Sequence, residues 1–331
     1  MERQALIGST GRHARVVLCT ITDKEFPAAH RVLSDLGRMA EVDSTGAYTF
    51  ADCLSMKELP FVLVQSAARA NLFAGTSISK WIRQFRPQHF LITGTAGGIH
   101  RPVDDADEMY RWQGPMLGDV VVSEYVHYAE FMKVSSAGYL MRHLAMDQPS
   151  IELIEHARAV IRDGSWTKLS RSTRNEGSVI PSASIQEIVS GDAVQDDPTE
   201  PMQQFLMDHF DRAGAIEMES AGVAQSLHSS RESVHYAPGF VTIRGVSDIV
   251  YARGRARALT KHDLPTSTAG KTEERDIGSD AAASAAAAFA VALTTRLVRA
   301  VQPIQPGHRR IDSFEMPQPT ELSDSADSVG V

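Results

Sequence analysis

RVVLCTITDKEFPAAHRVLSDLG, residues 15–37, opens on an unbroken apolar run and closes on a glycine. Residues 15–21 have the composition of a buried strand, and residues 22–37 supply a polar cap, apolar positions at helical spacing and a glycine stop. The same order returns downstream. FVLVQS (61–66) precedes the helical GTSISKWIRQFRP (75–87), which ends at a proline, and HFLITG (89–94) and GDVVVSEYVHY (118–128) have the residues that strands prefer. Strands alternating with helices place the chain in the α/β class: a single domain with a central mixed, largely parallel twisted sheet flanked by helices.

Further along, IELIEHARAVIRDG (151–164) is an amphipathic helix, 165–184 is polar and reads as a mobile loop or an insertion, and ASIQEIVSGD (183–192) is a strand entering a turn. PMQQFLMDHFDRAG (201–214) is a helix, AIE (215–217) a short strand, 218–230 a helix and FVTIRGVSD (240–248) a buried strand. An alanine-rich helix over 279–301 closes the fold. The domain is therefore expected over 15–301, with a flexible leader at 1–14, insertions at about 132–182 and 251–278, and a disordered acidic tail at 302–331.

With 331 residues, 43% of them hydrophobic, the chain is long enough for a full core. Its 33 basic against 41 acidic residues give a net charge of −8, which argues against a nucleic-acid surface. Cys19 and Cys53 form no CxxC or Cys/His cluster, so neither a disulfide framework nor a metal site is expected, and a reducing cytoplasm fits. The apolar run Ala281–Leu293 is shorter than the roughly 20 residues of a membrane span and reads as a buried helix.

Four stretches fall where strands are expected to end, TDKEF, GTAGG, EMES and RGVSD, and in an open α/β sheet such ends form the ligand crevice. GTAGG (94–98) reads as a glycine turn, either a plain one or one that lets backbone N–H groups approach a ligand. In RGVSD, Arg244 and Asp248 are expected at a mouth and not in the core, with an Arg–Asp ion pair closing a loop as the structural alternative. Glu217 and Glu219 enter a small, apolar helix. They are either solvated first-turn residues favoured by the helix dipole or, for Glu219, a buried carboxylate that needs donors such as a sugar diol.

In order and spacing, Glu25, GTAGG with GDVVVSEYVHY behind it, IVSGD, AIEMESAGVA and TIRGVSD resemble the purine nucleoside phosphorylase and methylthioadenosine/S-adenosylhomocysteine nucleosidase superfamily, from about Val16 to Ala300. The resemblance implies that Asp248 protonates or hydrogen-bonds purine N7, that Ser247 orients it and that Arg244 shapes the field around it. It implies that Glu219 binds the ribose hydroxyls and stabilises the developing cation, that Met218 packs under the sugar, and that Thr95, Ala96, Gly97 and Val194 contact the substrate. Glu217 is left as strand-end scaffolding.

Phosphate needs arginines, whereas water needs a carboxylate. Glu25 matches the glutamate that positions water in the nucleosidases, and Ile92 stands where hexameric phosphorylases place an arginine. Hydrolysis of a purine nucleoside or nucleotide such as methylthioadenosine or S-adenosylhomocysteine is therefore expected, without metal or organic cofactor, by a cytoplasmic homodimer or higher homo-oligomer that engages neither nucleic acid nor membrane. A phosphate-dependent phosphorylase and a non-catalytic nucleoside-sensing module are the alternatives. Ala193, Val194 and Gln195 replace the aromatic that stacks on adenine in close nucleosidases, so the purine stays open. Lys133 is a surface or a functional lysine. Lys168, Arg171, Arg174, Arg253, Arg255 and Arg257 are solvated or meet nucleotide 5′ phosphates.

Overall fold

The computed structural model describes residues 12–103, 111–136, 138–171, 180–193, 200–231, 236–252 and 271–300. Val194, Arg174, Arg253, Arg255, Arg257, the tail and most of the leader lie outside the described residues.

The opening stretch forms β1 (His13–Thr20) and α1 (Glu25–Leu36), as its apolar run and glycine stop require. β2 (Met39–Glu41) and β3 (Tyr48–Phe50) make a short antiparallel edge, and β4 (Glu58–Gln65) returns beside β1 in parallel, with Leu18 opposite Leu63. α2 (Asn71–Phe85) leads into β5 (His89–Val103), parallel to β1 on its other side with Leu18 opposite Leu91. After β6 (Arg111–Gln113) come β7 (Val120–Tyr128), the hairpin β8 (Met132–Ser135) with β9 (Gly138–Met141), and α3 (Ile151–Asp163). Part of the polar 165–184 region is ordered as α4 (Trp166–Arg171), because Trp166 is buried edge-on against Phe289, ring centroids 5.3 Å apart.

β10 (Ala183–Ser190), α5 (Pro201–His209), β11 (Ala213–Glu217), α6 (Ser220–Ser229), β12 (Gly239–Tyr251) and α7 (Lys271–Ala300) complete the domain. Among the described residues ten strands form one mixed sheet, ordered β11-β10-β7-β12-β5-β1-β4-β3-β2 with β6 beside β5, and β8 and β9 pair apart from it. β11 also pairs antiparallel with β5, Ala215 opposite Gly98 and Ile216 opposite Gly97, so β5, β12, β7, β10 and β11 close on themselves. That closure brings the ends of distant segments to one rim.

α7 starts earlier than the alanine run suggests. Its stretch Gly278–Arg299 is long and apolar enough to cross a membrane, yet it is mostly buried, packed on β12 and β5. Small side chains permit that close packing. An added Cβ at Gly245 would lie 2.9 Å from the Ala282 Cα, and burying Phe289 and Leu293 beside it contributes about 1.5–3 kcal/mol each.

Two expectations about strand ends are corrected. GTAGG is not a turn: β5 runs straight through it and pairs with β12 from Gly94 opposite Arg244 to Gly98 opposite Ile249. RGVSD likewise lies inside β12, whose register to β5 shifts between Val246 and Asp248. The glycines answer crowding across the strand. At Gly94 a Cβ would strike Arg244 Nη1 and sit 2.9 Å from Glu25 Oε1; at Gly98 it would sit 2.8 Å from Pro115 O and from Val246.

Candidate active site

A cavity of about 250 Å³ opens at the rim where β11 meets β5. Glu25, Thr95, Ala96, Gly97, Met218, Glu219, Ser247 and Asp248, all singled out by the sequence, line it together with Glu217. Arg244 stands behind this wall, while Lys133 on β8 and Lys168 on α4 are exposed and do not line it.

The β1–α1 turn places Glu25 at the start of α1, but not as a solvated first-turn residue: it is 3% exposed. Its Oε2 accepts the Ile21 and Thr22 N–H groups at 3.0 and 2.8 Å, and its Oε1 accepts the Thr95 N–H and hydroxyl at 2.9 and 3.2 Å. Four donors thus fix one carboxylate between β1 and β5. Buried carboxylates need such compensation.

At the β11–α6 corner the two glutamates separate in role. Glu217 accepts the Glu219 N–H at 3.0 Å and the Ser220 N–H at 3.1 Å, satisfying otherwise orphaned donors at the helix start. Glu219 turns toward the cavity, with its Oε1 accepting the Ala70 N–H at 3.2 Å. Burial pushes Glu219 up to about 7; Glu217 and Glu25 add to the rise, while Arg244 and the Ala70 N–H oppose it.

Arg244 corrects the sequence reading. It is fully buried, not at a mouth, and it forms an ion pair with Glu217 and a second with Glu219 at 3.3 Å. Burial works to lower its pKa, but Glu217, Glu219 and Glu25 hold it above the usual arginine value. Its electrostatic effect is therefore exerted on the glutamate cluster. Behind it, burial pushes the Cys19 thiol up to about 12.

On β12, the irregularity after Val246 lets Ser247 and Asp248 both face the cavity, where a regular strand would send neighbours to opposite faces. The Ser247 hydroxyl is 2.7 Å from Asp248 Oδ1 and 3.3 Å from the Ala96 carbonyl, and Asp248 Oδ2 lies against Gly97. Asp248 is 4% exposed.

Arg69, Val250 and Ser279 carry no sequence signal and join the wall from three different segments, with Lys24 of TDKEF and Ile216 of AIEMESAGVA beside them. Asn71 acts just outside it: its side-chain amide donates to Asp192 Oδ1 at 3.0 Å and to the Gly191 carbonyl at 3.3 Å, and its carbonyl accepts from the Gly222 N–H at 2.8 Å and the Ser190 hydroxyl at 3.0 Å. Only the fold juxtaposes these groups. Among the described residues no group of three or more His, Cys, Asp or Glu side chains is arranged to hold a metal ion.

The chain is similar to known proteins over most of its length. The family model described as "Phosphorylase superfamily" matches residues 67–295. A 5′-methylthioadenosine/S-adenosylhomocysteine nucleosidase of Bacillus cereus (strain G9842) is 25% identical over 219 residues, 66% of this chain and 80% of the relative. Among solved structures, the nucleosidase of that name from Colwellia psychrerythraea 34H in complex with adenine superposes with a TM-score of 0.57 at 19% identity, covering 86% of this chain and 96% of the other. Futalosine hydrolase of Helicobacter pylori strain 26695 superposes with a TM-score of 0.54 at 15% identity, covering 86% and 98%.

Proposed function

The chain belongs to the phosphorylase superfamily, and from that premise we propose that it is a purine nucleosidase, hydrolysing the N-glycosidic bond to free base and a ribosyl product. The observation that carries this reading is the caged Glu25. A carboxylate fixed in the cavity wall can position water at the sugar, and its negative charge opposes a phosphate anion at the same place.

In this mechanism the C1′–N9 bond breaks with its electrons leaving on the purine, and Asp248 delivers a proton or a hydrogen bond to N7. The Ser247 hydroxyl holds Asp248 Oδ1, which directs Oδ2 toward the base beside Gly97. Glu219 accepts the ribose hydroxyls and offsets the positive charge that grows at C1′, while Met218 packs against the sugar. Glu25 takes a proton from water as the water oxygen bonds to C1′. Arg244 keeps Glu217 and Glu219 tolerable in one buried cluster without touching the substrate. The similar nucleosidases are named for methylthioadenosine and S-adenosylhomocysteine, and an adenine nucleoside is the first substrate to offer. The same proposal includes a homo-oligomer, since Leu72, 75% exposed, and Phe73 present apolar surface at the start of α2.

The test is chromatographic detection of free base from adenosine, methylthioadenosine, S-adenosylhomocysteine and inosine, with and without phosphate, beside Asp248→Asn and Glu25→Gln. Release independent of phosphate, and reduced at least about 100-fold in both variants, is the expected result. Strict phosphate dependence makes the protein a phosphorylase, and tight binding without release makes it a sensor.

A further inference from the structure

Three carboxylates that the nucleosidase reading uses, Glu25, Glu219 and Asp248, give the cavity an acidic interior, since Glu217 is neutralised by Arg244. Two cations nevertheless line the same cavity. Lys24 lies next to Glu25 on the water side, and its Nζ donates to the Ser279 hydroxyl of α7 at 2.8 Å, so it is committed to joining α1 and α7. Arg69 is different. It is exposed, lines the wall, and has no hydrogen-bond or ion-pair partner among the described residues.

The position of Arg69 is set by the fold. The next residue, Ala70, has φ 78°, a left-handed conformation that costs a non-glycine residue about 1–3 kcal/mol. That turn aims the Ala70 N–H at Glu219 Oε1 and starts α2 at Asn71. Arg69 is therefore carried by the residue that orients the ribose carboxylate. With the purine at Asp248 and the 2′ and 3′ hydroxyls on Glu219, the 5′ carbon projects from C4′, beyond the 3′ hydroxyl and away from C1′. A side chain that flanks the ligand of the 3′ hydroxyl flanks the 5′ substituent as well. A 5′ hydroxyl offers this guanidinium a single neutral acceptor, whereas a 5′ phosphate accepts its planar fork of donors in a charge-assisted bidentate pair.

We propose that the cavity takes a nucleoside 5′-phosphate and that Arg69 reads the phosphate. The inference rests on the nucleosidase reading for the pose of the sugar. The anion recognised is the substrate's own phosphate and not free phosphate, because the water side of the sugar is occupied by the caged Glu25 and by Lys24 held on Ser279.

The test uses the purified full-length chain in phosphate-free buffer and follows purine release from adenosine and adenosine 5′-phosphate by wild type, Arg69→Ala and Arg69→Lys. A calorimetric titration of both compounds into Glu25→Gln, with and without Arg69→Ala, accompanies it. The expected result is a kcat/KM at least about 10-fold higher for the nucleotide, a preference that falls about 10- to 100-fold in Arg69→Ala and returns in part in Arg69→Lys. Cleavage of adenosine without preference for the nucleotide, or a preference that survives Arg69→Ala, overturns the proposal and leaves the nucleosidase reading standing. Release only on adding inorganic phosphate, with ribose 1-phosphate from adenosine or ribose 1,5-bisphosphate from the nucleotide as product, overturns both. If no purine is released from either compound, the nucleosidase reading falls and calorimetry decides alone. Nucleotide binding about 10-fold tighter than nucleoside binding, lost with Arg69→Ala, supports the phosphate site; equal binding removes it.

Discussion

Arg244 Nη2 and Glu219 Oε2 lie 3.3 Å apart, and with Glu217 on the same guanidinium they form an ion cluster almost wholly out of water. Removing one partner of such a cluster leaves charge that neither water nor a counter-ion can offset. Arg244→Met is therefore expected to destabilise the fold by about 3–5 kcal/mol. Urea unfolding followed by far-ultraviolet circular dichroism measures it, and a loss under 1 kcal/mol refutes the stabilising role of the cluster. Replacing Glu217, Glu219 and Arg244 together with apolar residues should recover much of the loss, because no charge is then stranded.

The raised pKa of Glu219 makes stability and activity move in opposite directions with pH. Its folded value, about 7, lies above the ordinary glutamate value of 4.5 that holds in the unfolded chain, so between these the folded state binds more protons than the unfolded one. The Glu219 contribution to stability is complete below the unfolded pKa and is lost as pH rises through about 7. Diol binding needs the ionised form, so kcat/KM should rise over the same interval. In Glu219→Gln the corresponding fall in stability is expected to disappear while activity drops at every pH. An unchanged stability profile in that variant removes Glu219 as its source.

The sheet is legible because RVVLCTI and the FVTI that opens FVTIRGVSD are mostly apolar and rich in β-branched residues, and buried strands need little more. Glycine was harder, since the letter does not say whether a position needs an unusual φ or merely lacks space. Gly94 lacks space, and this follows only once Arg244 and Glu25 are known to converge on it. Arg244 itself follows an apolar run and reads as a strand's exposed end, because its compensating Glu217 is 27 positions away. Glu25, Glu219 and Asp248 were found through their motifs. Arg69 and Asn71 have no motif around them: Asn71 is placed by packing of α2 on α6 and by the Ser190 hydroxyl at the end of β10, and Arg69 is brought to the cavity by the turn before α2.

Gly94→Ala tests the crowding argument at one atom. The new methyl would strike Arg244 Nη1 and lie 2.9 Å from Glu25 Oε1, in a strand that cannot back away because β12 and β1 flank it. Displacing either side chain disturbs the caged carboxylate, so activity is expected to fall by at least about 100-fold and stability by about 1–3 kcal/mol. Thermal unfolding and the base-release assay measure the two effects. Gly46 serves as the comparison for added bulk, since nothing lies within 4 Å of its Cβ position, although its φ of 75° carries a separate backbone cost.

Asn71 links the two halves of the substrate site. Its backbone N–H and side-chain amide both donate to Asp192 Oδ1, at 3.2 and 3.0 Å, next to Ala193 in the cavity wall. Its carbonyl oxygen receives the Gly222 N–H from the first turn of α6, the helix that begins beside Glu219. Asn71→Ala leaves that N–H, the Ser190 hydroxyl and the Gly191 carbonyl without this partner in a buried place, at a cost of about 2–4 kcal/mol. Asp192 and Glu219 would then move independently, so KM should rise more than kcat falls, because Asn71 itself touches no reacting atom. Asn71→Asp separates packing from hydrogen bonding. It keeps the acceptor for Gly222 but sets a second carboxylate against Asp192, and the defect should lessen on lowering pH as one of the pair is protonated. Equal losses in kcat and KM, independent of pH, would mean that Asn71 only supports the fold.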